Sequence, residues 1–270
     1  MKVWFITGTS RGFGKEWATA ALKRGDKVAA TARNIDTLND LVDKFGDSVL
    51  PISLDVTDRA ADFAAVKQAF EHFGRLDVVI NNAGYGLFGT IEEISEEEAR
   101  AQIETNVFGA LWITQAAIPY LRQQGSGHII QVSSIGGVAA FPSLGLYHAS
   151  KWALEGFSEA LSQEVAPFGI KVTLIEPGGF TTDWAGSSSI HAKEISAYDP
   201  VRKARNERWS SVRRGNPAAT AEVVLKLVDS DNPPLRILFG NFASDLVKTL
   251  YPKRLEEWAK WESVSREADG

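Results

Sequence analysis

A chain of 270 residues, of which 44% are hydrophobic, 23% charged and 10% aromatic, is large enough for one sizeable core, so a single domain over residues 1–270 is expected. Its 29 basic and 34 acidic residues give a net charge of -5, which argues against nucleic acid or an anionic membrane surface as a partner. The chain has no cysteine for disulfides or thiolate ligands, and its four scattered histidines predict no metal site.

We expect no export signal at the N-terminus. Its first apolar run is too short for a signal peptide and passes straight into a glycine-rich segment. Nowhere does the sequence contain the roughly 18 consecutive apolar residues that a membrane-spanning helix requires. We therefore expect a cytoplasmic protein without a membrane span.

Short β-branched apolar runs alternate with longer segments of helical periodicity, a rhythm typical of βαβ units in a parallel sheet. The strands are predicted near residues 3–6, 28–32, 50–54, 77–81, 128–133, 171–176 and 236–239. The helices are predicted near residues 13–24, 35–45, 58–73, 96–121, 149–166, 219–229 and 253–263. Asp58 is placed to begin one helix, and Ser95 and Glu98 have the spacing of a capping box.

Two stretches depart from this rhythm, namely residues 178–217 and the tail beyond residue 240. Neither has the composition of a linker, and an irregular stretch of such length inside a compact domain is usually functional or partly helical. We interpret residues 183–215 as a candidate lid over a substrate site and residues 241–270 as a C-terminal extension.

The first strand is followed by a glycine-rich loop, Thr7 to Gly14. Glycines suit a sharp turn, a close approach of backbone to phosphate and the packing of a helix start. The loop therefore predicts a pyrophosphate site, although an ordinary strand-to-helix turn would use similar residues. The candidate cofactor-binding residues of this loop are Gly8, Ser10, Arg11, Gly12, Phe13 and Gly14.

The end of the second strand bears on which cofactor the loop would hold. Arg33 stands where an NAD enzyme would have an acid for the ribose hydroxyl, and Arg11 lies inside the glycine loop. Two guanidinium groups favour a 2′-phosphate, so NADP is predicted over NAD, unless both arginines are simply exposed loop residues. Asp55 and Val56, after the third strand, are candidates for the adenine, although Asp55 is also placed to cap the next helix.

The later strands end in polar residues at the same edge of the sheet. Asn82, Ala83 and Gly84 follow the fourth strand and suit a backbone lying close to the cofactor. Tyr147 and Lys151 stand four residues apart, so they share one helix face. An ammonium beside a phenol lowers its pKa from about 10 and makes it usable in acid-base catalysis, yet the pair alone is usually just a helix face.

Taken together, these motifs resemble the short-chain dehydrogenase/reductase family in type, order and spacing, over residues 3 to about 182. The motifs that carry the resemblance are Thr7-Gly8-x3-Gly12-x-Gly14, Asn81-Asn82-Ala83-Gly84, Asn106, Ser134, Tyr147-x3-Lys151 and Pro177-Gly178-x3-Thr182. The resemblance implies a single doubly wound α/β domain of the Rossmann type with a mostly parallel seven-stranded sheet. It also implies an NAD(P)-dependent oxidoreductase that transfers hydride between nicotinamide and a carbonyl or secondary alcohol.

The resemblance further implies residue roles. Tyr147 would give or take the proton, Lys151 would hold the nicotinamide ribose and lower the pKa of the tyrosine, and Ser134 would bind the substrate oxygen. Asn106 would support a water-linked proton relay. Pro177 and Gly178 would contact the nicotinamide and Thr182 its carboxamide. The neighbours Ser133 and Thr181 leave two of these assignments open by one residue.

The substrate is less defined. The stretch from Asn82 to Gly156 is most similar to hydroxysteroid and retinol dehydrogenases, so an apolar substrate is expected between Tyr85, Phe141, Phe180 and the candidate lid, with Trp184 lining the pocket. Six bases between residues 202 and 214 would instead suit an acidic group. The alternative to an enzyme is a non-catalytic NADP-sensing regulator on the same fold. A homo-oligomer paired through residues 107–121 and 149–166 is also implied.

Overall fold

A seven-stranded sheet forms the centre of the molecule in the computed structural model, which describes residues 1–186 and 188–270. Its strands are β1 (Val3–Ile6), β2 (Lys27–Ala32), β3 (Val49–Ser53), β4 (Val78–Asn81), β5 (Gly127–Val132), β6 (Ile170–Pro177) and β7 (Arg236–Phe239). The strand order is β3-β2-β1-β4-β5-β6-β7, and every neighbouring pair is parallel. The predicted fold class and all seven predicted strands are confirmed.

The five inner strands are buried on both faces along nearly their whole length, which explains their nearly continuous apolar sequences, whereas the edge strands β3 and β7 are only partly buried. Along β1, Trp4 and Ile6 face one layer of the core, whereas Val3 and Phe5 face the other. Trp17 of the first helix packs into the first of these layers, and Ile113 packs into the second. The helices therefore cover both sides of the sheet, as the alternating pattern predicts.

The helices connect successive strands. They are α1 (Gly12–Lys23), α2 (Asn39–Phe45), α3 (Arg59–Phe73), α4 (Glu96–Ile103), α5 (Ala110–Gln124), α6 (Gly145–Val165), α7 (Asp199–Ser210), α8 (Ala221–Asp229) and α9 (Asn241–Arg266). Asp58 accepts hydrogen bonds from the amides of Ala60 and Ala61, and Ser95 and Glu98 form the predicted capping box. Both predicted helix starts are thus correct.

The helices depart from the predictions most clearly in four places. The predicted helix 96–121 is interrupted by a π-helical turn at Glu104–Gly109, and α6 begins four residues before residue 149, at Gly145. The candidate lid contains α7, which had not been predicted as a helix. The last helix begins at Asn241 rather than near 253 and runs through Pro252.

The chain order reverses beside β1, because β2 lies on one side of it and β4 on the other. In such sheets ligands bind in the crevice outside the carboxyl ends of the strands at this point. The glycine loop follows β1, and the Asn82-Ala83-Gly84 turn follows β4, so both line that crevice. Across the described residues, no helix combines the length and hydrophobicity needed to span a membrane.

Candidate active site

The glycine loop is a tight turn held from one side by Asn82. Gly8 and Gly12 have φ angles of 70° and 58°, which L-residues with side chains rarely adopt. The Nδ2 of Asn82 donates to the carbonyls of Thr7 and Gly8, both at 2.9 Å. A Cβ on Gly14 would lie only 2.3 Å from the Gly8 carbonyl oxygen, so the helix start packs against the loop backbone itself.

The mouth of this loop leaves room for a ligand. A Cβ placed on Gly12 would meet only the Cγ2 of Thr182, at 4.0 Å. The N-cap of α1 is Arg11, which makes no side-chain capping bond, and the first turn holds no acid. The first-turn amides and the helix dipole therefore favour an anion between the loop and Thr182.

Thr182, rather than Thr181, faces this space. The amide and hydroxyl of Thr181 both bond to the Gly215 carbonyl, which holds that residue on the other side of the segment. The Phe13 ring points inward. It stacks on the Trp17 ring, with the ring centres 5.2 Å apart, and contacts the Phe180 ring edge-on, with the centres 5.1 Å apart. Only its backbone therefore remains at the loop mouth, and Phe180 packs beside α1.

Arg33, Asp55 and Val56, which are predicted to lie near the adenosine end of the cofactor, differ in their exposure and contacts. Arg33 is exposed directly after β2, next to the crevice. Asp55 accepts bonds from the amide and hydroxyl of Thr57, so its carboxylate serves the local turn. Val56 is buried, and a Cβ on Gly109 would lie 2.7 Å from its Cγ2. Val56 thus packs beneath the start of α5.

Asn106 lies in the π-helical turn and joins three parts of the site. Its Oδ1 accepts from the Tyr85 amide at 3.1 Å, and its Nδ2 donates to the Tyr85 carbonyl and to the Ser150 hydroxyl. A Cβ on Gly84 would meet the Asn106 Oδ1 at 3.0 Å and the Lys151 Nζ at 3.8 Å. The turn after β4, the π-helical turn and α6 therefore converge at one place.

Tyr147 and Ser134 meet on the substrate side of this place. Tyr147 lies in the first turn of α6, is buried, and is hydrogen-bonded to the Ser134 side chain. The Ser133 hydroxyl is buried on the other side, because a Cβ on Gly137 would lie 2.6 Å from it and 3.0 Å from the Glu155 Oε1. The geometry therefore brings Ser134, and not Ser133, to Tyr147.

Lys151 lies one turn beyond Tyr147. Its Nζ donates to the Val132 carbonyl at 2.8 Å and lies 5.9 Å from the centre of the Tyr147 ring. Burial lowers the pKa of this ammonium to about 8, although the negative charge of Glu155 offsets part of the decrease. Both groups are therefore shielded from water at the base of the crevice.

The expected lowering of the Tyr147 pKa is wrong for this conformation. Burial raises the pKa of Tyr147 to about 12, and the hydrogen bond with Ser134 offsets only part of that rise. The physical reason is desolvation of the phenolate, which outweighs a lysine that points at a backbone carbonyl. A phenol with this pKa is fully protonated at neutral pH and can act as a proton donor.

The indole of Trp184 packs over the ring of Tyr147. The two rings lie 4.8 Å apart, and Trp184 also lies 5.4 Å from the ring of Phe88. A Cβ on Gly86 would be 2.6 Å from the Trp184 indole, so only glycine admits this placement. Phe88 was not singled out from the sequence, although it follows Tyr85 closely in the same turn.

The segment that carries Trp184 is attached to the body in two ways. Short strands Leu87–Phe88 and Ile190–His191 pair in parallel, a feature not predicted from the sequence. The buried carboxylate of Glu93 accepts from the Ile195 amide at 2.8 Å and pairs with Arg202 on α7. These bonds lower the Glu93 pKa to about 2, the backbone amides contributing most. Glu93 therefore remains an anchor for the segment at neutral pH.

The bases of α7 lie beside aromatic residues near the site. Arg205 lies 5.6 Å from the centre of the Phe88 ring, and Arg208 lies 5.6 Å from that of Phe141. Arg202, in contrast, is engaged by Glu93 and Asp199. Two of the six bases are thus near aromatic side chains that flank the site, whereas Phe141 itself packs against Trp209 at 5.3 Å.

Behind Lys151 lies a buried acidic pair that sequence reasoning missed. Glu155 accepts from Arg236 at 2.8 Å, and Glu176 lies 3.7 Å from the same guanidinium nitrogen. Burial raises the pKa of Glu176 to about 7, with the neighbouring Glu155 adding to the rise. Arg236 therefore pairs with the Glu155 carboxylate, and the raised pKa of Glu176 reduces the negative charge that this one arginine has to offset beneath the site.

The family model for short chain dehydrogenase matches residues 2–193, which contain every motif described above. This chain belongs to the short-chain dehydrogenase family. Among its relatives is oxidoreductase BOA17 of Botryotinia fuckeliana, 48% identical over 246 residues that cover 88% of this chain and 89% of the relative. The family is one of oxidoreductases, and its fold implies dependence on NAD(P).

Solved structures of the same family agree with this membership. A short-chain dehydrogenase from Streptomyces avermitilis has a TM-score of 0.93 and 39% identity, covering 99% of this chain and 100% of that one. An alcohol dehydrogenase from Thermococcus sibiricus, complexed with 5-hydroxy-NADP, has a TM-score of 0.74 and 28% identity, covering 88% and 96%. The hydroxysteroid and retinol dehydrogenase branch expected from the sequence is not confirmed by these comparisons.

Proposed function

We propose that this short-chain dehydrogenase uses NADP to interconvert a carbonyl compound and a secondary alcohol, with Tyr147 as the catalytic acid and base. The observation that carries the proposal is the contact of Tyr147 with Ser134 and the nearness of Lys151, beside a glycine loop with an open mouth. The non-catalytic sensor is disfavoured, because a protein that only senses NADP has no need of Ser134, Tyr147 and Lys151 together.

The glycine loop, the Asn82-Ala83-Gly84 turn, Pro177, Gly178 and Thr182 would hold the dinucleotide. A bound nicotinamide supplies or accepts the hydride. In the reducing direction Tyr147 Oη donates its proton to the carbonyl oxygen, and the Ser134 hydroxyl bonds the same oxygen as negative charge develops on it. Lys151 would stabilise the remaining phenolate, and Asn106, held by the backbone of Tyr85 and by the Ser150 hydroxyl, would support a water-linked return of the proton.

We expect NADPH to bind more tightly than NADH, because Arg11 lies in the glycine loop and the exposed Arg33 follows β2, and in this proposal both guanidinium groups contact the 2′-phosphate. Losing one bidentate contact to phosphate costs about 1.5–3 kcal/mol, or roughly 10- to 100-fold in affinity. Fluorescence titration of both cofactors should therefore show Arg33→Ala losing NADPH affinity by that factor while NADH affinity changes little. Arg100→Ala, at an exposed arginine that pairs with Glu96 on the surface of α4, is the matched control. Equal affinities of the unmodified chain for NADPH and NADH would exclude the assignment.

The substrate we propose is largely apolar. Trp184 packs on Tyr147 and Phe88, so the space directly over the catalytic hydroxyl is lined by aromatic rings. Residues 183–215 act as a lid in this proposal, since Trp184 must move before a substrate can reach Tyr147. A cytoplasmic location stays a prediction from the sequence.

Substrate class is tested with matched pairs of apolar and carboxylated ketones and aldehydes, measured as kcat/KM with NADPH. We expect the apolar member of each pair to be preferred, and Trp184→Ala to lower kcat/KM for it by roughly tenfold, as lost apolar contact would. Trp112→Ala removes a half-buried indole of α5 that stacks on Phe108, and it is the control. A preference for the carboxylated members, unaffected by Trp184→Ala, would instead assign the pocket to an acidic substrate recognised by Arg205 and Arg208.

A further inference from the structure

The last helix extends past the body of the protein. The first turns of α9 are held by the core, where Ala243 is buried and Phe242, Leu246 and Val247 pack beside it. From Leu255 onward every residue of the chain is exposed. At 1.5 Å per residue, the exposed end of about 16 residues projects by roughly 24 Å. A helical segment of this length that makes no tertiary contacts is only marginally stable in water, so we expect another contact to stabilise it.

The exposed end carries an apolar stripe, which we define as Tyr251, Leu255, Trp258 and Trp261. With about 100° between successive residues, these side chains lie within roughly 120° of one another around the helix. The buried Ala243 and the partly buried Val247 fall in the same sector, so the stripe continues the packing face of the helix beyond the body. Among described residues, Arg254 links the stripe to α6 by lying 5.3 Å from the ring of Trp152 and 5.6 Å from that of Tyr251.

The area of the stripe is sufficient for an interface. Leu255, Trp258 and Trp261 are 60%, 67% and 62% exposed. Because an aromatic side chain presents roughly 150–250 Å², the stripe with Trp152 offers on the order of 400–600 Å² of apolar surface. Each partner of a standard interface buries about 800 Å². The stripe can therefore form the apolar centre of such an interface.

The charges of α9 indicate the partner. Residues 248–254 contain three bases, Lys248, Lys253 and Arg254, and no acid, whereas residues 255–270 contain five acids and two bases. An antiparallel copy of the same helix would set the basic half of each chain beside the acidic half of the other. An anionic membrane would instead be repelled by the acidic end that carries both tryptophans.

We propose that α9 is a dimerisation helix, which pairs antiparallel with α9 of a second copy of this chain across a two-fold axis near residue 255, so that residues 248–254 of one copy face residues 256–262 of the other. The interface is isologous, so each stripe packs on the equivalent stripe. This contact is formed mainly by α9, with Trp152 of α6 at its margin, and it does not depend on the proposed substrate or cofactor.

The test begins with mass in solution. By light scattering after size exclusion, the unmodified chain should have the mass of an even number of copies, and the double variant Trp258→Glu/Trp261→Glu should have half that mass. Val264→Glu introduces the same charge at an exposed position of α9 outside the stripe, and it should leave the mass unchanged. A monomeric unmodified chain, or a double variant of unchanged mass, would overturn the proposal.

Cross-linking provides a second readout that does not depend on how well a charged variant folds. The chain has no cysteine, so each single cysteine introduced is unique. Leu255→Cys should be linked to its own copy by a bismaleimide, whereas Val264→Cys, off the stripe and far from the axis, should not. Equal linking of the two variants would contradict the antiparallel contact. Flotation with phosphatidylglycerol vesicles that requires Trp258 and Trp261 would also overturn it in favour of a membrane.

Discussion

Tyr147→Phe should reduce turnover by roughly two to four orders of magnitude while NADPH binds as tightly as before, because a positioned proton donor contributes about that much to the rate. The substitution removes only the hydroxyl, which is hydrogen-bonded to Ser134, and leaves the ring beneath Trp184. Turnover is followed as NADPH consumption on any carbonyl that the unmodified enzyme reduces, and binding is followed separately by titration.

Tyr120→Phe is the matched control for this variant. Tyr120 lies on α5, and its ring stacks on Phe70 at 4.4 Å, away from the crevice. Its variant should keep the full rate. If Tyr147→Phe also kept the full rate, Tyr147 would not be the proton donor, and the NADP-sensing alternative would become the better explanation of the fold.

Gly14→Ala should weaken NADPH binding by at least tenfold and lower the free energy of unfolding by about 1–3 kcal/mol, the usual cost of overpacking. The added Cβ would lie 2.3 Å from the Gly8 carbonyl oxygen and 2.6 Å from the Asn82 Nδ2. Neither neighbour is free to move, because Asn82 holds the carbonyls of Thr7 and Gly8 at once. The loop that would receive the pyrophosphate must therefore shift.

Gly156→Ala on α6 separates this effect from a general effect of alanine. A Cβ at Gly156 would meet nothing within 4 Å, so the substitution should raise helix stability by about 0.5–1 kcal/mol and leave binding unchanged. Urea unfolding and NADPH titration of both variants check the pair. Unaltered NADPH affinity in Gly14→Ala would mean that the cofactor does not use this loop.

The sequence was a good guide to the sheet because parallel strands are buried on both faces and read as short apolar runs. It was a poorer guide to helices that lack this signal. Leu144 caps α6 without a side-chain bond, so nothing in the sequence marks the start at Gly145. α7 has no buried residue and few apolar residues, so its sequence shows no clear helical periodicity. Pro252 normally marks a boundary, yet α9 passes through it.

The sequence predicted those residues of the candidate site that belong to a backbone motif. It predicted less well the contacts between segments that are far apart in the chain. The sequence could leave Ser133 and Ser134 as equals, since only the fold shows that Ser133 faces Glu155 while Ser134 meets Tyr147. The raised pKa of Tyr147 depends on burial, and Trp184 lies 37 residues further along the chain. No local sequence pattern predicts the contacts that bring Phe88, Glu93 and Arg202 close to the site.

Transfer of deuterium from NADPH is the most direct test of the proposed chemistry. NADPH carrying deuterium at both C4 positions of the nicotinamide should give an alcohol with one deuterium on the former carbonyl carbon, as mass spectrometry would show. The hydroxyl hydrogen should come from water, through Tyr147. An alcohol formed without deuterium at that carbon, or no reduction of any carbonyl in the apolar and carboxylated panel, would contradict a hydride-transferring oxidoreductase built on Tyr147 and NADP.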